Sequence, residues 1–262
     1  MLVPQSAGRS EGGREPHFVS AYAAQTRRLL ESWDSREGAL QAAIGSASPE
    51  DYETVGRLEK SLLVYAGLRP EDFLLDVGCG SGRLAVHLAG WLEGPYLGTD
   101  VVQTLLDHAA QACNRPDWRF ERVSGLTVPA DSDSVDMACA FSVFTHLHHE
   151  ESFVYMRDIH RVLKPGSRLV FSFLEFRVPS HWRVLEADIE SIGQDAVLNQ
   201  FMSIDAVEVF AQHLDFELIE VHRGDEPFIP DDSVGSDVDG ELRSIGQSVA
   251  IYRKPLTSEM AL

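Results

Sequence analysis

The stretch Leu74-Leu75-Asp76-Val77-Gly78-Cys79-Gly80-Ser81-Gly82 decides the fold. Its first half reads as a short apolar strand. Three glycines at alternate positions follow, then a run with Leu84, Ala85, Leu88 and Leu92 at helical spacing. Glycines in such a loop let the backbone turn sharply and approach a ligand with no Cβ in the way. A strand, a glycine loop and a helix open a doubly wound α/β sheet, where ligands bind outside the carboxyl ends of the strands. With glycines at 78, 80 and 82 and Arg at 83, the spacing departs from the GxGxxG of dinucleotide sites.

Working outward, the same alternation continues. Strands are predicted at Phe73–Val77, Tyr96–Thr99, Trp118–Val123, Val135–Phe141, Arg168–Leu174, Phe216–Val221 and Ser248–Tyr252. Between them run helices from Gly82, over Val102–Ala109, and over 149–163, where Lys164-Pro165-Gly166 breaks the pattern. Asp205 and Glu208 resemble a capping box for a further helix carrying Val207, Phe210, Ala211 and Leu214. Alternation of this kind implies parallel strands with right-handed crossovers, hence an α/β, doubly wound, seven-stranded, mostly parallel sheet. Residues 1–16 read as a disordered tail and 17–67 as a helical cover, with helices at about 17–33 and 50–66. The α/β domain is expected over 68–255, with an insertion at 175–202 (a helix near 184–192) as a substrate lid, and a short tail at 256–262.

Composition limits the partners. The 262 residues hold 41 acidic and 22 basic side chains, a net charge of −19, which repels nucleic-acid backbones and anionic membranes at long range. No run reaches the roughly 18 apolar residues of a membrane span, and Met1–Pro16 lacks the apolar core of a signal peptide. Cys79, Cys113 and Cys139 form no CxxC pair, so a disulfide framework is not expected and a reducing cytoplasm is. His146, His148 and His149 lack the HExxH spacing, so no metal site is expected.

Two acids carry the site chemistry. Asp76 ends the first strand beside the glycine loop, a poor neighbour for pyrophosphate and a good one for a cationic group. Asp100 closes the second strand, where doubly wound folds place the acid that accepts from ribose hydroxyls. An adenosine with a positively charged, phosphate-free tail fits both, and S-adenosylmethionine is such a molecule.

At this point the sequence resembles the class I S-adenosylmethionine-dependent methyltransferases. LLDVGCGSGR is similar to their glycine-loop motif, and YLGTDV, which ends just past Asp100, to their second-strand segment. Ser134-Val135-Asp136, Ser142-Val143-Phe144-Thr145-His146-Leu147 and Arg161-Val162-Leu163-Lys164-Pro165-Gly166 follow in the family's order, over about residues 50–222. The resemblance implies a Rossmann-like methyltransferase fold. It also implies a cofactor held by Asp76, Gly78, Cys79, Gly80, Gly82, Asp100, Val101 and, beside the reacting end, Phe141. Where the family often has an adenine-binding acid, this chain has Ser124-Gly125, whose hydroxyl and backbone amides are expected to bind the adenine of the cofactor instead.

Each assignment has a plainer reading beside it. Cys79 reads as a packed small side chain, and Phe141 equally as a core aromatic. His146 reads either as a general base or as a histidine that hydrogen-bonds backbone and shapes the pocket. His181, Trp182 and Arg183 read as acceptor contacts in the lid or as anchors of a small satellite core. Tyr22, Tyr52 and Arg57 belong to the N-terminal helices, which are expected to close over the cofactor. The acids from Asp225 to Glu241 read as a solvated loop. The expected activity is methyl transfer to an O- or N-nucleophile of a small molecule, a secondary metabolite or glycan precursor. The alternatives are a nicotinamide-dependent oxidoreductase and a non-catalytic protein that binds the same cofactor.

Overall fold

The computed structural model describes residues 16–194, 197–231 and 241–256. Expectations for 1–15, 232–240 and 257–262 lie outside the described residues. Three helices come first: α1 (His17–Ser32), α2 (Arg36–Ala42) and α3 (Pro49–Tyr65). The alternating part then runs β1 (Leu74–Val77), α4 (Arg83–Leu88), β2 (Tyr96–Asp100), α5 (Gln103–Cys113), β3 (Arg119–Arg122) and β4 (Val135–Ala140). After a 3-10 turn at Phe144–His146 come α6 (His149–Val162), β5 (Leu163–Phe173), α7 (Pro179–Glu190) and α8 (Ile204–His213). The chain ends with β6 (Glu217–His222), the small pair β7 (Ile229–Pro230) and β8 (Leu242–Arg243), and β9 (Ser248–Arg253).

Seven strands form one sheet in the order β3-β2-β1-β4-β5-β9-β6. β1 pairs in parallel with both β2 and β4, and β9 runs antiparallel between β5 and β6. The order therefore reverses at β1/β4, and the loops after those strands open a crevice there.

β1 is buried along its whole length, because helices cover both faces. Leu75 and Val77 face a core built with Met156 and Ile159 of α6 and Val207 of α8. Leu74 faces the other core, with Leu58 and Leu62 of α3 and Leu84 and Leu88 of α4. Each such leucine contributes about 1.5–3 kcal/mol by leaving water. Alternation puts Asp76 on the Leu74 face, so a carboxylate is carried into an apolar interior.

Helix starts follow local chemistry. Ser48 caps α3 by accepting from the Asp51 N–H at 3.1 Å, with Pro49 in the first turn. α6 starts with a capping box between His148 and Glu151. Three expectations are corrected. α8 is capped by Ser203, which accepts from the Ala206 N–H at 3.1 Å, so Asp205 sits inside the first turn rather than at the cap. β5 begins at Leu163 and not at Arg168, since Leu163 already pairs with Val135 and the Gly166 N–H bonds to the Lys254 carbonyl at 2.8 Å. α7 begins at Pro179, five residues before the predicted start, because proline is favoured in a helix's first turn.

Candidate active site

The carboxyl ends of β1, β2, β4 and β5, covered by α1, α3 and the turn that follows α2 and flanked by α7, enclose a cavity of about 720 Å³. The glycine loop forms its floor. Gly78 and Gly80 hold φ of +70° and +56°, and a Cβ on either would meet Val143 Cγ2 at 2.5 Å or Ile44 Cγ2 at 2.6 Å. Only glycine lets the loop pass that closely under the cover. Gly82 (φ +90°) does another job. It lies off the cavity wall, and its missing Cβ lets α4 approach Ala109 of α5.

Asp100 reaches back under this loop. Its Oδ2 accepts from the Gly80 N–H at 3.0 Å and its Oδ1 from the Val102 N–H at 2.8 Å. A carboxylate has about four lone-pair sites, and the backbone N–H groups of Val102, Gly80 and Val101 leave room for a ligand hydroxyl. Burial raises its pKa to about 6, and the backbone donors oppose that rise.

Asp76 is more extreme. It is 3% exposed, and burial pushes its carboxyl up to about 7 although the Tyr96 hydroxyl donates to it at 2.7 Å and the Cys139 thiol at 3.6 Å. Such a group favours a cationic partner in the cavity.

The lining as a whole has that preference. Asp51, Glu59, Asp76, Asp100 and Asp188 contribute acids, whereas Arg83 is the sole Arg or Lys among the described lining residues. Arg83 is already paired with Glu59 of α3. A pyrophosphate would meet carboxylates and no available cation. A phosphate-free, positively charged adenosyl compound fits this donor set.

Of the other predicted residues, Val101, Cys79, Gly125 and Phe141 line the cavity, and Ser124 does not. Cys79 is packed, with its thiol pushed up by burial. Tyr22 lines the cavity from α1. Tyr52 instead lies beneath the loop, its hydroxyl donating to the Ser81 carbonyl at 3.2 Å. Arg57 pairs with Asp231, a buried member of the acidic connection that also lies 3.5 Å from Arg243 Nε, so this acid is not part of a solvated loop.

The lid residues need correction. His181 is 2% exposed and off the cavity: its Nδ1 accepts from the Glu175 N–H and its Nε2 donates to the Gly246 carbonyl, both at 2.9 Å. Trp182 is 47% exposed and also off the cavity. The face of α7 that lines it carries Val184, Ala187 and Asp188, followed by Ser191.

His146 lines the cavity at the end of the 3-10 turn. Its Nδ1 lies 2.7 Å from the Leu198 carbonyl. A carbonyl only accepts, so Nδ1 carries the proton and Nε2 keeps a lone pair. Burial lowers the pKa, which keeps the ring neutral at pH 7, and the Tyr22 ring meets it edge-on at 5.2 Å. The other two histidines of the run serve α6 and its neighbours. His149 Nε2 donates to the Phe201 carbonyl at 2.9 Å. His148 caps α6 and, with His17 and Glu151, sets three ligand-type atoms within 4.8 Å, outside the cavity; His17 and Glu151 are hydrogen-bonded at 2.9 Å.

Several lining residues were not among the predicted site residues. Ser142, Ser172 and Gln247 form a ring of hydrogen bonds: Ser142 N–H to Ser172 Oγ at 2.8 Å, Ser172 Oγ to Gln247 Oε1 at 2.7 Å and Gln247 Nε2 to Ser142 Oγ at 3.0 Å. The ring holds Ser142 at φ +56°, a costly conformation for a residue with a Cβ. Asp188 and Asn199 are joined at 2.8 Å.

A parallel sheet with this switch point, an antiparallel strand near one edge and a glycine loop over a carboxylate define a Rossmann-like methyltransferase fold. Residues 74–166 match the family described as a methyltransferase domain. Among curated proteins, 27-O-demethylrifamycin SV methyltransferase of Amycolatopsis mediterranei is 27% identical over 167 residues, 62% of this chain and 56% of that protein. An O-methyltransferase of Penicillium expansum is 28% identical over 48% of this chain and 46% of its own length. The matched stretch thus spans about half the length of these relatives. Among solved structures, magnesium protoporphyrin IX methyltransferase from Synechocystis PCC 6803, determined with bound S-adenosylhomocysteine, aligns with a TM-score of 0.59 at 14% identity over 91% of this chain and 96% of that one, which shows a shared fold. Over residues 74–166 the chain thus matches a methyltransferase domain, set in a fold that it shares with S-adenosylmethionine-dependent methyltransferases. Among the described residues, no helix is long and apolar enough to cross a membrane.

Proposed function

We propose that this chain transfers a methyl group to a hydroxyl oxygen of a small molecule, with His146 as general base. The observation that carries the reading is the neutral His146 ring, its Nδ1–H held by the Leu198 carbonyl, in one cavity with Asp76, Asp100 and the glycine loop. S-adenosylmethionine supplies, when bound, a methyl group already activated on a sulfonium sulfur. Asp100 accepts from the ribose hydroxyls, and the Asp76 carboxylate balances the cationic methionyl end. Gly78 and Gly80 give the adenosyl part its close approach. Val101, Gly125 and Phe141 wall it in.

What remains for the protein is alignment, exclusion of water and one proton. His146 Nε2 takes that proton from the acceptor hydroxyl, and the 175–202 insertion closes the acceptor side through α7. Cavities of about 300–1,000 Å³ hold ligands of cofactor and metabolite size, which suits a small acceptor. The names of the curated relatives point the same way, and the net charge of −19 speaks against nucleic acid. The nicotinamide alternative would set its phosphates against carboxylates with no available cation among the described lining residues, and the glycines at 78, 80 and 82 depart from the dinucleotide spacing.

The test is a screen for S-adenosylhomocysteine release over hydroxyl-, amine- and thiol-bearing small molecules. Turnover confined to hydroxyl acceptors and lost in His146→Ala supports the reading. Turnover of amines alone, with His146→Ala fully active, overturns it.

A further inference from the structure

We propose that Asp188 is the ionic partner of His146, a positioning residue that favours the imidazolium formed when the ring accepts a proton. The proposal rests on the reading of His146 as the base, and it comes from how one short segment holds both groups. Leu198 and Asn199 are consecutive. The Leu198 carbonyl takes the Nδ1–H of His146 at 2.7 Å, and the Asn199 side-chain amide donates to Asp188 Oδ1 at 2.8 Å. The next residue, Gln200, donates its N–H to the Thr145 carbonyl at 2.6 Å, fastening the segment to the turn that carries His146. Imidazole and carboxylate, 42 positions apart and on different elements, are thereby fixed on the wall of the same cavity.

The chemistry of the pair follows from charge. A buried histidine resists protonation, because burial penalises the charged ring. Base catalysis requires that charge for the moment after the hydroxyl proton has moved to Nε2. An ionised Asp188 nearby offsets the penalty without competing for the Nδ1 proton, which the Leu198 carbonyl already holds. The directions at His146 agree: burial lowers its pKa, and the Leu198 carbonyl and the Asp188 charge raise it. The other ring against it, Tyr22 of α1, is uncharged, burial raising its hydroxyl far above the usual range. The proton afterwards leaves His146 for solvent.

The test reads His146 directly in the ligand-free protein. Its ring proton signals, assigned by their loss in His146→Asn, are followed from pH 4 to 9 by NMR in wild type and Asp188→Asn. The amide keeps an oxygen for the Asn199 donor, so folding is retained, and Asp188→Ala provides a second variant. The proposal expects the His146 midpoint to fall by about 0.5 unit or more in both variants, as loss of a nearby opposite charge requires. The acidic limb of the methyl-transfer pH profile should move down by the same amount. A midpoint unchanged or raised, or a ring that stays neutral throughout in all three proteins, overturns it. If instead His146→Asn retains full turnover while the midpoint still shifts, the pair exists and the reading of His146 as base has failed.

Discussion

Proton release on cofactor binding follows from the two buried acids. In the ligand-free protein burial holds Asp76 up to about 7 and Asp100 up to about 6. A cationic ligand requires Asp76 ionised, so protonation competes with binding and affinity must rise with pH. If only the ionised form binds, apparent affinity scales with the ionised fraction: for a pKa near 7 about one tenth at pH 6 and about nine tenths at pH 8, a factor of about ten. Asp100, roughly half ionised at pH 6, adds about a further twofold. We predict that S-adenosylmethionine binds about ten- to twentyfold more tightly at pH 8 than at pH 6. Isothermal calorimetry in two buffers of different ionisation enthalpy should show net proton release near pH 6.5. Asp76→Asn removes the larger part of the slope and leaves the twofold part. An affinity constant from pH 6 to 8, proton uptake, or the same slope in Asp76→Asn would refute the assignment of Asp76 to the cation.

The same acid makes a stability prediction. Its folded pKa lies above the ordinary 3.8, so the folded state binds more protons between about pH 4 and 7, and the stability this confers is lost as pH rises through 7. At pH 8 ligand-free Asp76→Asn should be more stable than wild type, by at most about 4 kcal/mol at 1.36 kcal/mol per pKa unit; a urea midpoint equal to or below wild type contradicts this. His146→Ala should lower turnover by about 10²–10⁴-fold with cofactor affinity within about twofold, whereas a loss of cofactor binding instead would make the residue a wall of the pocket only. Glu59→Ala strands Arg83, which is largely buried between α3 and α4, and should cost about 3–5 kcal/mol in denaturant melts; a cost under about 1 kcal/mol would mean that water reaches the arginine.

The cofactor half of the site was legible because its determinants are local. Asp76, Gly78 and Gly80 lie within five consecutive residues, and Asp100 ends the strand beside theirs, so strand alternation and loop glycines bring them together. The acceptor half was not, because it is assembled from afar. Gln247 enters the cavity from just before β9, Ser172 from the end of β5, and Asp188 from the last turn of α7. Residue type even misled there: His181 looked ready for a ligand, yet both ring nitrogens are spent on backbone groups, and Trp182 faces outward. The short α2, seven residues long, carries no periodic signal of its own, yet Leu40 and Ala43 at its end pack on Val102 and Leu105 and bring Ile44 over Gly80. His146 was legible as a candidate only, since its tautomer is set by the carbonyl of Leu198, 52 residues later.

The central claim is that the acid-lined cavity under the glycine loop takes a cationic adenosyl compound and not a dinucleotide. Calorimetric titration of the purified chain with S-adenosylmethionine and, separately, with NADH tests it most directly, alongside Asp100→Ala. The account predicts one S-adenosylmethionine bound per chain, affinity weakened at least about tenfold by the substitution, and no heat from NADH. Binding of NADH with S-adenosylmethionine silent, or S-adenosylmethionine affinity unchanged in Asp100→Ala, would contradict it.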